Sequence, residues 1–186
     1  MRSFLVEKRA ARRLDAAALW SYSLRILGGR AHSTGELRQK LARRAADEND
    51  VESTIARLKD CGYLDDRRFA EGYAAARLSN DKFGRARVIQ DLRQRRVAPP
   101  LAERTVQHVY QEVDEEGLIE AWIRRKSRME PREGLFQEDK DLASAYRRLL
   151  RAGFRTGDIL RVLKRFAKNP DLLDDFEPPG EPGAEE

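Results

Sequence analysis

Apolar residues recur every three or four positions along most of this chain, the spacing that lines one face of an α-helix. Leu19, Tyr22 and Ile26 follow it until Gly28-Gly29 interrupts, and Leu37, Leu41 and Ala45 take it up again. No alternating apolar run bounded by turn residues occurs, so the pattern predicts an all-α fold without a sheet. Helices are expected at 16–28, 34–46, 50–60, 66–79, 84–97, 100–112, 115–129, 141–152 and 156–168.

Polar residues mark where these helices begin. Ser33 with Glu36, and Asn49 with Glu52, have the spacing of a capping box, in which the first side chain accepts from a free first-turn amide and the glutamate reaches back. Asp65-Asp66 ahead of Phe69, and Thr156 with Asp158 ahead of Ile159, put cap oxygens or first-turn carboxylates at the positive end of the helix dipole. Pro99-Pro100 closes one helix and opens the next, since a first-turn N–H makes no intrahelical hydrogen bond that proline would lose.

A longer period overlies the helical one. Five apolar positions separated by 5, 5, 4 and 3 residues occur three times: Leu41, Ala46, Val51, Ile55, Leu58; Leu92, Val97, Ala102, Val106, Val109; and Leu149, Phe154, Ile159, Leu163, Phe166. A basic cluster accompanies each turn, as Arg43-Arg44, Arg95-Arg96, and Arg148 with Arg151. Phe69-Ala70 and Tyr73 correspond to Leu118-Ile119 and Trp122, while Trp20 opens the first copy. The expected architecture is a tandem array of three three-helix repeats over 16–65, 66–114 and 115–168, stacked into an elongated, curved body. The connection 128–140, with Pro131 and Gly134, interrupts the third repeat; either it lets that repeat move or Leu135 and Phe136 dock it.

Charge divides the chain further. Its 186 residues include 37 Lys+Arg and 32 Asp+Glu, for a net +5. Residues 169–186 hold seven acidic and no basic side chains, so residues 1–168 carry +12. With Pro178-Pro179 and Pro182, that acidic tail is expected to stay disordered, and 1–15, with Arg2, Lys8, Arg9, Arg12 and Arg13, reads as a basic arm. Of the 37 basic residues 29 are Arg, whose planar fork of donors suits phosphate and carboxylate alike. A polyanionic partner is therefore expected.

Most single arginines are ordinary solvated partners of Glu and Asp one helical turn away. Some clusters stand out. Arg161, Lys164, Arg165 and Lys168 form a stripe opposite Ile159, Leu163 and Phe166. Lys82, Arg85, Arg87, Arg93, Arg95 and Arg96 flank one helix, where Gly84 either makes a turn or opens amides to an anion. Together with Arg148 and Arg151, the residues Arg85, Arg87, Arg93, Arg95, Arg96, Arg161, Lys164 and Arg165 form the candidate binding surface.

Catalytic chemistry has little to work with. Cys61 is the single cysteine, which excludes an internal disulfide, and His32 and His108 supply neither a zinc centre nor a triad. Cys61 reads as a small half-buried residue, and Asp65-Asp66 as caps rather than paired acid–base groups. No phosphate-cradling glycine loop, 18-residue apolar run or secretory signal is present. The chain reads as a cytoplasmic binding protein, not an enzyme, with no catalytic residue, cofactor, metal or membrane contact.

One segment is distinctive. Gly62-Tyr63-Leu64-Asp65-Asp66-Arg67-Arg68-Phe69-Ala70 closely resembles the most recognisable motif of the RecX regulatory proteins. Ser33-Thr34-Gly35-Glu36-Leu37-Arg38-Gln39-Lys40-Leu41 precedes it and Lys82-Phe83-Gly84-Arg85-Ala86-Arg87-Val88-Ile89-Gln90-Asp91-Leu92 follows, as in that family. The resemblance spans roughly residues 16–168 and includes Arg151-Ala152-Gly153-Phe154. Two features depart from it: Ala45-Ala46 stands where the family pattern has a Gly-Phe pair, and the acidic Pro-rich tail lies outside the pattern.

The resemblance implies a bacterial monomer that lodges in the groove of the RecA recombinase filament, with single- or double-stranded DNA as a further contact. It implies inhibition of strand exchange, ATP hydrolysis and coprotease activity in DNA repair and the SOS response. On this reading Gly62, Tyr63, Leu64, Asp65, Asp66 and Phe69 hold the fold, and the basic clusters of the second and third repeats touch the filament. The alternative is a stand-alone helix-turn-helix DNA-binding regulator, for which 81–109 has the length but no polar base-reading helix.

Overall fold

The computed structural model describes residues 13–127, 135–136 and 139–167, and divides into two compact units. Most of the basic arm, most of the 128–140 connection and the whole acidic tail lie outside the described residues. Among those described there are nine α-helices and no strand, so the all-α expectation holds.

Unit 1 comprises residues up to Phe69 together with Arg95–Val97. It holds α1 (Ala16–Gly29), α2 (Thr34–Ala42), α3 (Glu48–Asp60) and the first turn of α4 (Asp66–Ala76). Helices α1 and α2 both pack on α3, burying Leu19, Leu37, Leu41, Val51, Ile55 and Leu58. Each such side chain contributes roughly 1.5–3 kcal/mol by leaving water.

The turn after α2 departs from the sequence pattern. Leu14 donates its amide to the Arg44 carbonyl (2.7 Å) and accepts from Ala46 N (2.8 Å), so the chain leaves the helix at Ala42 instead of residue 46. This bridge turns Ala45 into the core, as its helical spacing from Leu37 and Leu41 predicts, and Ala46 out to solvent, against its place in the longer repeat. The start of α3 is also displaced. Asp47, not Asn49, is the N-cap, its carboxylate accepting from Asn49 N at 2.9 Å, and Glu52 pairs with Arg38 instead of reaching back.

Unit 2 comprises Ala70–Gln94 and residues from Ala98 on. It contains the rest of α4, α5 (Arg85–Gln94), α6 (Pro99–Val109), α7 (Glu115–Ser127), α8 (Asp139–Arg151) and α9 (Thr156–Phe166). Helix α5 packs on α6, and α7 and α8 both pack on α9. Val88, Leu92, Ala102, Val106, Tyr110, Ile119, Tyr146, Leu149, Ile159 and Leu163 are fully buried.

Two ends in unit 2 have identifiable causes. Helix α4 widens into a π-helical turn (Arg77–Asp81) that carries Ser79, Asn80 and Asp81, residue types that favour turns over helix interiors, and Arg77 grips Asp81 at 2.7 Å. Lys82 then takes a left-handed φ of 56° and ends the run. Helix α6 opens on Pro99 as expected, whereas α9 is capped by Arg155 without a side-chain bond, leaving Thr156 to accept from the Tyr146 hydroxyl at 3.4 Å.

Candidate functional site

The most specific sequence motif is largely absorbed by unit 1. Gly62 adopts φ 72°, the left-handed geometry that closes α3, and Leu64 enters the core. Asp65 accepts from Arg67 N (2.8 Å) and Arg68 N (3.0 Å); these amides hold its carboxyl below the usual range. Asp66 reaches across to α2 and accepts from Thr34 N at 2.6 Å. Phe69 is half-buried. Tyr63 does not fit the structural reading, because 57% of it is exposed. Cys61 is likewise exposed rather than half-buried.

Each unit seats a turn on the start of a helix. In unit 1, Ser33 caps α2 by accepting from Glu36 N (3.0 Å), and Glu36 completes the expected capping box on Ser33 N (3.4 Å). The Ser33 hydroxyl also donates to the Arg95 carbonyl. In unit 2, Gly84 N donates to the Ala152 carbonyl at 2.8 Å and Ala86 N to the Gly153 carbonyl at 3.2 Å. Those amides are therefore satisfied by backbone, and Gly84 is a seat for a turn rather than an anion site.

The seats decide the state of several candidate cations. Arg95 is half-buried against Glu36 (3.1 Å), and Arg96 is exposed with its guanidinium donating to Gln39 at 3.3 Å. Arg85 joins Glu115 (2.5 Å) and the Tyr110 carbonyl (2.7 Å), while the buried Tyr110 hydroxyl donates to the Phe83 carbonyl at 2.8 Å. Burial drives the Tyr110 phenol well above its ordinary pKa, keeping it a neutral donor.

Other candidates are also paired. Arg93 meets Glu103 at 2.5 Å. Arg161 meets Glu116 at 2.6 Å as well as Asp158, and Arg165 meets Glu120 at 2.8 Å. Arg161 and Arg165 of the α9 stripe thus face acidic residues of α7, and Lys168 lies outside the described residues.

A different set converges on an open groove of about 340 Å³ in unit 2. Arg87 from α5, Lys126 from α7, and Arg148 and Arg151 from α8 line it with Phe83 and Trp122. Helical spacing explains the convergence, since Trp122 and Lys126 are four residues apart, and Arg148 and Arg151 three. Arg87 pairs with Asp91 at 3.0 Å, which also accepts from Tyr73. Among the described residues no carboxylate pairs with Lys126, Arg148 or Arg151. Arg148 instead lies 5.8 Å from the Trp122 ring centre. The charge clusters in the sequence do not single out Lys126, although its place one helical turn beyond Trp122 puts the two on one face.

The arrangement suits electrostatic and aromatic contact with an anionic surface. Among the described residues no three His, Cys, Asp or Glu side chains gather as a metal site, and no helix is long and apolar enough to cross a membrane. Helices packed in small groups, with a basic groove on one unit, define a helical-repeat protein.

Comparison with known proteins gives that class a family. Profiles described as "RecX, first three-helix domain" and "RecX, second three-helix domain" match residues 20–58 and 65–106. The regulatory protein RecX of Deinococcus radiodurans is 33% identical over 153 residues, covering 81% of this chain and 69% of that protein. The Escherichia coli (strain SE11) protein of the same name is 32% identical over 167 residues, covering 84% and 96%. A crystal structure of RecX from Lactobacillus salivarius shares the fold at a TM-score of 0.62 and 19% identity, covering 84% of this chain and 97% of that one. The chain belongs to the RecX family of regulatory proteins.

Proposed function

We propose that this chain binds the RecA–DNA filament as a monomer and restrains its strand exchange, ATP hydrolysis and coprotease activities, acting in DNA repair and the SOS response. The observation that carries this reading, beside family membership, is the groove of unit 2, where Lys126, Arg148 and Arg151 have no carboxylate partner among the described residues. A filament of acidic protein surface and DNA phosphate offers many such counter-charges, and weak contacts repeated along it add through avidity. Action by occupancy needs no catalytic group or cofactor.

Tyr63 supports a second contact, because an exposed aromatic beside Arg67 and Arg68 has the composition of an interface anchor. Arg85, Arg95, Arg161 and Arg165 belong to the scaffold that holds these surfaces, through the ion pairs described above. Lys164 stays with the filament-facing set.

Co-sedimentation with RecA assembled on single-stranded DNA in ATP, with ATP hydrolysis measured in parallel, tests the proposal. The chain should pellet with the filament and slow hydrolysis. A chain that binds DNA equally well without RecA, with steep salt dependence and no effect on hydrolysis, would point instead to a stand-alone DNA-binding protein.

A further inference from the structure

The basic groove and the acidic tail have complementary charge, and the fold places the root of one beside the other. The described chain ends at Ala167, which forms a backbone bridge with Phe136, whose amide donates to the Phe166 carbonyl at 3.2 Å. Phe136 lines a small cleft with Trp122, Lys126 and Arg148, three of the residues that also line the basic groove. Residue 171 is four positions past Ala167 and residue 177 ten, so an extended segment spans roughly 13 to 35 Å, enough to reach along a small groove.

The composition of that segment matches the groove in two ways. Asp171, Asp174, Asp175 and Glu177 supply carboxylates for Arg87, Lys126, Arg148 and Arg151, while Leu172, Leu173 and Phe176 supply apolar groups for Phe83 and Trp122. Trp122 lines the groove and so reports on its occupancy. It is only 7% exposed, and its indole N–H is buried without a hydrogen-bond partner among the described residues.

We propose that residues 171–177 dock in the groove formed by Arg87, Lys126, Arg148 and Arg151, so that the free chain masks its own polyanion-binding surface until an external polyanion displaces them. Tethering raises the tail's effective concentration toward the millimolar range, which lets an individually weak contact compete. The contact belongs to the free chain and stands whether or not RecA is the external partner.

The test uses the full-length chain and a full-length D171N/D174N/D175N/E177Q variant, reading the two indole N–H signals in a ¹H–¹⁵N spectrum. Neutralising the tail should move the Trp122 signal and leave that of Trp20, in unit 1, in place. A synthetic peptide of residues 169–186 added to the neutralised variant should restore the Trp122 position, and R148E/R151E in the same background should weaken that binding at least tenfold. Affinity for oligothymidylate should rise at least fivefold on neutralisation.

A Trp122 signal indifferent to neutralisation, or a peptide that binds the arginine-reversed variant equally well, would overturn the proposal. So would oligothymidylate moving the Trp122 signal where the peptide does not, which would make the groove a nucleic-acid surface alone. Should R148E/R151E fail to fold, the neutralised variant decides by itself. None of these readouts involves RecA, so failure here leaves the proposed function standing, and failure of the RecA assay leaves this contact standing.

Discussion

Units 1 and 2 make the same joint with different residues. In unit 1 the turn Arg95–Val97 sits on the start of α2, and in unit 2 residues 152–154 sit on the start of α5. Each turn carries one left-handed residue followed by a buried apolar one: Arg96 (φ 61°) then Val97, and Gly153 (φ 89°) then Phe154. Close approach in unit 1 is permitted by Gly35, where a Cβ would collide with Arg96. In unit 2 it is permitted by Gly84 and Gly153, whose added Cβ atoms would collide with the Gly153 carbonyl and the Arg87 amide. The repeat preserves a backbone geometry, and the glycine that allows it can stand on either side.

The polar surroundings differ as well. The unit 1 seat is neutralised by Glu36, which takes Arg95 and Arg30, and by Asp66. Beside the unit 2 seat lie Arg148 and Arg151, facing the groove without a carboxylate among the described residues. One seat is a closed polar joint and the other borders a basic groove.

The comparison breaks most severely at the glycines. Gly84→Ala and Gly153→Ala should each cost roughly 3 kcal/mol in urea unfolding, because backbone must shift to admit the methyl group. Gly35→Ala should destabilise unit 1 in the same way. Alanine tolerated at all three positions would show that the seats are looser than described.

Asp66→Ala should come next, at about 2 kcal/mol, by removing the charge-assisted bond to Thr34 N. Its effect belongs to unit 1, so hydrogen exchange should quicken at α2 more than at α8.

A pH effect is also expected from unit 1. Burial, with Arg30 and Lys40 nearby, outweighs the Arg30 carbonyl and Glu36 and lowers the pKa of His32 below 6.5. The unfolded chain then takes up a proton more readily, so stability is full above pH 6.5 and declines as pH falls below it toward the lowered folded value. Urea midpoints from pH 7.5 to 5.5 should show this slope, and His32→Asn should flatten it. The smallest effect is expected for Arg96→Gly, which relieves a left-handed backbone but frees the unfolded chain, for a net change within about 1 kcal/mol.

Much of this was legible because it is local. Apolar spacing located the nine helices, Ser33 and Glu36 were recognisable as a capping box, and the family motif led to the correct class. What escaped depends on residues far apart in the chain. Helical spacing names Ala45 and the longer repeat names Ala46, and Leu14, which bonds the turn from outside α2, puts Ala45 in the core. Asp47 and Asn49 are both good caps, and folding chose between them. The basic stripes were visible, but their partners were not: Arg85 meets Glu115, and Arg161 meets Glu116, across helices. Sorting those paired cations from Arg148, Arg151 and Lys126 required the fold.

That sorting leads to the decisive measurement, inhibition of RecA ATP hydrolysis on single-stranded DNA by two double variants carrying the same charge change. R148E/R151E alters the groove, and R93E/R104E alters the surface of α5 and α6 outside it. If the groove engages the filament, R148E/R151E should lose inhibition by tenfold or more in concentration while R93E/R104E stays within about twofold, with helicity intact in both. Equal loss in the two variants, or full inhibition by R148E/R151E, would contradict the account.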